Sequence, residues 1–133
     1  MPYTMQLDHA RGLLDLRYYG VVSVAQRLHA ADEALPLLRD SGVRRILIDL
    51  MEANAAPDTI DDFRGFAARI TREPLFRQSR TAFVAPPVNY TNHLVEVLAD
   101  AHHYPFERFV DRDVAIAWLL GDEPAGVARD NRQ

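Results

Sequence analysis

The sequence predicts a single-domain α/β protein with the element order ββαβαβαβα, a mixed sheet that opens with a hairpin and is flanked by helices. Three observations predict it. Two segments at the start, "YTMQLDHA" and "LLDLRYYGVV", alternate with the period of half-buried strands. Two later segments, "RILIDL" and "RTAFVAP", are apolar runs of the kind found in strands covered on both faces and paired in parallel. The stretches between and after these runs carry apolar residues at helical spacing, so strands and helices alternate from there on.

In the first strand Tyr3, Met5 and Leu7 face one way, and Thr4, Gln6 and Asp8 the other. In the second, Leu14, Leu16 and Tyr18 oppose Asp15, Arg17 and Tyr19, and "DHARG" between the two supplies a polar turn containing Gly12. Ser23 opens a helix, with Gln26 in capping-box spacing. Val24, Leu28, Ala31, Leu35 and Leu38 form its apolar stripe. Pro36 is expected to kink or divide this helix, and Gly42 to end it as a left-handed cap. "RILIDL" is the central strand; it is expected to end near Asp49, with "MEANAAPDT" as the following loop.

The next helix runs from about Asp58 to Glu73, with Ile60, Phe63, Ala67 and Ile70 inward and Pro74 as its stop. After "RTAFVAP", the segment "NYTNHLVEVLADAHH" reads as a helix that buries Leu94, Val97, Leu98 and Ala101 and ends near Pro105. "FERFVD" is a short strand. "DVAIAWLLG" is a last helix, capped by Asp111 or Asp113 and closed by Gly121, with Trp118 inward. Residues 1–121 form the domain; "DEPAGVARDNRQ", residues 122–133, is a polar and flexible tail.

Composition excludes several kinds of chemistry. The chain of 133 residues is long enough to bury a core without staples, and its 48% hydrophobic and 26% charged residues are those of a globular protein. No apolar run is long enough to span a bilayer, and the opening residues lack the basic and apolar regions of a secretory signal, so the cytoplasm is the expected compartment. Without cysteine there is no disulfide, thiolate nucleophile or Cys-ligated zinc. A net charge of −4 argues against a nucleic-acid partner, which needs clustered cations. All 15 basic residues are arginine, which removes Schiff-base, P-loop and lysine-base chemistry. Ser23, Ser41 and Ser79 are the only serines, and none sits in a G-x-S-x-G elbow.

The element order, with "YYGVVSV" at the first strand-to-helix junction, "ILIDL" as the central strand and "FVDRDVAIAWLLG" at the close, resembles the SpoIIAA-like or STAS-like (STAS/SEC14-like) small bacterial proteins, relatives of the anti-sigma-factor antagonists. The resemblance spans roughly residues 3–121. It implies a regulatory or protein-interaction module that does not catalyse, acting through a protein partner or as a homodimer. The SEC14-like side of the resemblance implies a small apolar ligand, a lipid among them, as the alternative. In the antagonists a D-S-S-G-type stretch after the central strand carries a phosphorylatable serine. This chain has "APDTIDD" there, with Thr59 as the one hydroxyl. Asp58, Asp61 and Asp62 would repel a phosphate dianion at that helix start, so capping by Asp58 or Thr59 is the favoured reading.

The remaining candidates gather at the expected carboxyl ends of the central strands, where open α/β sheets bind ligands. Asp49 and Asp58 are a potential acid pair, but no nucleophile or cation accompanies them and no catalytic residue is assigned. Asn54, Asn89, Tyr90 and Asn92 are expected, with Asp49, Asp58 and Thr59, to line a shallow cleft for a ligand or partner. Phe66, Leu75 and Phe76 are expected as an exposed apolar surface around the end of the second helix. Glu96, Asp100 and His103 share a helix face, which reads as solvated rather than metal-binding. No metal or cofactor is expected.

Overall fold

A computed structural model describes residues 3–86 and 106–121. Strands β1 (Tyr3–Asp8) and β2 (Leu13–Val22) pair antiparallel, from Tyr3 opposite Tyr18 to Asp8 opposite Leu13. The turn between them closes at Gly12, whose φ of 66° favours a residue without Cβ and whose amide donates to the Asp8 carbonyl at 2.8 Å. There follow α1 (Val24–Ser41), β3 (Arg45–Ala55), α2 (Ile60–Thr71), the single turn α3 (Pro74–Arg77), β4 (Arg80–Val84), β5 (Phe106–Phe109) and α4 (Arg112–Leu119). The helix expected over residues 89–103 and the tail 122–133 lie outside the described residues.

The sheet order is β1-β2-β3-β4-β5, with every pair after the hairpin parallel. When neighbouring parallel strands succeed one another in one direction, right-handed crossovers put their helices on one face. α1, α2 and α3 accordingly cover the face that carries Leu14, Leu16, Tyr18 and Ile46. α4 follows the last strand and lies across the opposite face, on Leu13, Leu47, Ala82, Val84 and Phe109. The change of face between Leu13 and Leu14 is the two-residue period of the strand, and both side chains are fully buried. Each such leucine contributes about 1.5–3 kcal/mol by leaving water.

α1 begins as its sequence demands. The Ser23 side chain accepts from the Gln26 amide, and the Gln26 side chain accepts from the Ser23 amide. It ends at Gly42, with φ 75° and its amide donating to Leu38. Pro36 does not divide it. The proline lies on the exposed side of one continuous helix of 18 residues, where water serves the carbonyl deprived of its amide. Its inward stripe is also rotated from the expected one. Arg27, Ala31, Ala34 and Leu38 are buried, whereas Leu28 and Leu35 are half-buried.

β3 departs most from expectation. It does not end near Asp49 but continues for six further residues to Ala55. Its pairing with β2 jumps from Arg17–Asp49 to Tyr19–Glu52, so Tyr18 of β2 alone opposes Leu50 and Met51 of β3. This bulge turns both Leu50 and Ala53 into the core and leaves Met51 and Glu52 exposed between them. A spacing of three hides the strand from a test for alternation. α2 starts two residues later than expected, with Thr59 as the cap and Ile60 outward at 47% exposure.

Candidate functional site

α1 faces the sheet with alanines. Ala31 and Ala34 from α1, with Ala67 and Ile70 from α2, stand above Leu16, Ile48 and Phe83 of the strands. Side chains this short do not fill the gap between helix and sheet layers, and a partly enclosed cavity of about 80 Å³ remains there, with Phe76 in its lining. Its wall is hydrocarbon except at Tyr18, Arg27 and Thr71.

These three polar side chains are engaged within the fold. The Thr71 hydroxyl donates to the Ala67 carbonyl at 2.7 Å. The Arg27 guanidinium, 3% exposed, lies over the Tyr18 ring at 5.3 Å from its centroid. Burial pulls the Arg27 pKa down, and Tyr18 and the Asp58 carboxylate oppose that pull. Burial likewise pushes the Tyr18 phenol up to about 12, against the lowering influence of Arg27, so the hydroxyl stays neutral at any physiological pH. Asp58 also accepts the Val24 amide, the first of α1, at 2.9 Å. It therefore caps α1 rather than α2. One carboxylate thus ties the start of α1 to the turn before α2 and faces the buried cation.

On the other face of the sheet, Asp49 is not at a strand end and not paired with Asp58. It sits in mid-strand beside Asp15, and the guanidinium of Arg112 bridges the two carboxylates. Its Nη1 donates to Asp49 at 2.9 Å and its Nη2 to Asp15. Asp49 further accepts the Met51 amide at 3.0 Å, at the bulge. Burial lowers the Arg112 pKa, but the hydrogen bonds and charges of the two aspartates outweigh it and leave it raised. The cluster pins the N-terminus of α4 to β2 and β3. It holds no nucleophile; one arginine bridges its two acids, and Arg17 stands 3.6 Å from Asp15.

Thr59 is the α2 cap: its hydroxyl oxygen accepts the Asp62 amide at 3.1 Å, and Asp62 returns a bond to the Thr59 amide at 2.9 Å. Asn54 is exposed on β3 opposite Val21, in the strand and not in a loop. Asn89, Tyr90 and Asn92 lie outside the described residues, as do Glu96, Asp100 and His103. The expected exposed apolar surface is corrected. Phe76 is 4% exposed, and Phe66 and Leu75 are half-buried, because Pro74 starts the turn α3 and folds the segment back onto the core. Phe66 and Phe76 instead line the cavity. Among the described residues no three His, Asp or Glu side chains gather to hold a metal, and no helix is long and apolar enough to cross a membrane.

Sequence reasoning missed Arg27 and Arg112. The signal for Arg27 was its spacing, four and seven residues before Ala31 and Ala34, which puts it in their stripe. The signal for Arg112 was an aspartate inside a strand covered on both faces, which requires a cation.

No family model and no curated protein matches the sequence. Among solved structures the chain is similar to an uncharacterized protein from the DUF3478 family with a SpoIIAA-like fold, from Shewanella loihica PV-4. The TM-score is 0.54 at 17% sequence identity, over 88% of this chain and 91% of that one. The chain has a SpoIIAA-like fold.

Proposed function

We propose, from the premise of a SpoIIAA-like fold, that this protein works by binding and not by catalysis, and that it holds a small apolar ligand in the cavity between the sheet and α1–α3. The observation that carries this reading is the wall itself: an interior space lined by alanine, isoleucine, leucine and phenylalanine, with Thr71 hydrogen-bonded to its own helix and Arg27 laid over the Tyr18 ring. Sites for small molecules are concave and mostly apolar with few polar groups, and an apolar cavity that excludes water favours a hydrocarbon guest. The ligand site thus moves from the cleft expected at the strand ends to the interior of the helix layer.

The test is to fill the space. Ala34→Leu places three further carbons in the cavity and is expected to raise stability by about 0.5–2 kcal/mol, as cavity-filling changes do. It is also expected to abolish any rise in melting temperature that a panel of small apolar compounds gives the unaltered protein. A variant that melts lower, or one that still responds to the same compounds, contradicts the reading.

A second reading, an interaction module that self-associates, is favoured by one observation. Beyond the bulge, Tyr19, Val21 and Met51 are 36%, 62% and 44% exposed at one end of the sheet. Light scattering at two dilutions is expected to give a mass that rises with concentration, and Val21→Arg to return it to the monomer. A constant monomer mass removes this reading.

A further inference from the structure

We propose that the guest of the cavity is an uncharged hydrocarbon group of about three carbons or fewer, free or as the tip of a larger molecule, and that the site rejects acids and amines of the same shape. This rests on the reading of the cavity as the ligand site and adds the ligand's charge and size. The size follows from the volume. About 80 Å³ is roughly half of the ~150 Å³ cavity that accepts the ring of benzene, so about three carbons fit and a drug-sized molecule does not.

The charge follows from what already surrounds the buried arginine. A cation in an apolar wall would ordinarily mark a site for an anion. Here Arg27 has an aromatic ring beneath it and the Asp58 carboxylate as its counter-charge, and Asp58 is itself fixed by the Val24 amide. An entering carboxylate would shed its water and then meet the field of Asp58 beside the cation that lines the cavity. An entering ammonium would meet Arg27 itself. Thr71 does not compensate either, since its hydroxyl hydrogen goes to the Ala67 carbonyl. A neutral chain loses no hydration of charge and fills the space against Ala31, Ala34, Ile48 and Phe83.

The experiment is a titration with propane, ethanol, acetate and ethylammonium at neutral pH, followed by the methyl resonances of Ala31 and Ala34. Propane and the alcohol are expected to give saturable shifts, with the two ions at least tenfold weaker. Ala34→Leu, or Ala31→Val should the first not fold, is expected to remove the response. Acetate binding as tightly as the alcohol, in competition with it, would overturn the charge assignment and leave the cavity as the ligand site. No response to any of the four would overturn both.

Discussion

Arg112→Ala is expected to cost about 2–3 kcal/mol of folding stability, a fall of roughly 10 °C in melting temperature for a domain of this size. Removing the guanidinium leaves Asp15 and Asp49 together on one sheet face, each at most 16% exposed, with like charge and with the more exposed Arg17, 3.6 Å from Asp15, as the remaining counter-ion. Breaking a fully buried pair by removing one partner costs more, about 3–5 kcal/mol; the 26% exposure of Arg112 reduces it here. The loss falls on α4, whose first turn the arginine pins, and so on the packing of Phe109, Ile116 and Leu119. The triple variant Asp15→Asn, Asp49→Asn, Arg112→Ala is expected to recover part of the loss, because the repulsion goes with the charges. Urea unfolding of the single and triple variants measures both. Equal loss in the two would mean that α4 docks through its apolar face alone.

Tyr18 gives the second large effect, and it depends on pH. Its folded pKa of about 12 lies above the ordinary 10.0, so the native state holds the phenol proton more tightly than the unfolded chain does. The stability this confers is complete below pH 10 and is lost as the pH rises from there to about 12. Two pKa units correspond to about 3 kcal/mol. Denaturant midpoints are expected to fall across that window in the unaltered protein, and much less in Tyr18→Phe, which has no proton to lose. Parallel slopes in the two proteins would show that the phenol ionises freely in the fold.

Much of this architecture was legible in the residues. The hairpin followed from the alternation of Tyr3, Met5 and Leu7 against Leu14, Leu16 and Tyr18. The α1 caps followed from Ser23, Gln26 and Gly42, whose chemistry is local. The site was less legible, because it depends on three-dimensional register. A bulge that turns both Leu50 and Ala53 inward made the end of β3 look like a loop, and moved Asp49 from a strand end to mid-strand. Arg27 lies outside the stripe of Val24, Leu28, Ala31, Leu35 and Leu38 expected for α1, yet a tyrosine face and an aspartate make its burial tolerable. The cavity itself is a matter of volume. Alanines in the α1 stripe read as ordinary core, and only the separation of helix and sheet shows that they fall short of the strands below.

The central claim is that the space between the sheet and α1–α2 receives an apolar guest, and xenon tests it most directly, since it needs only an apolar cavity and no hydrogen bond. In a crystal held under xenon pressure the account predicts one strong site in contact with Ala34, Ile48 and Phe83, and none of comparable strength beneath α4 at Ala115. Xenon absent from that space, or seated instead under α4, would contradict it.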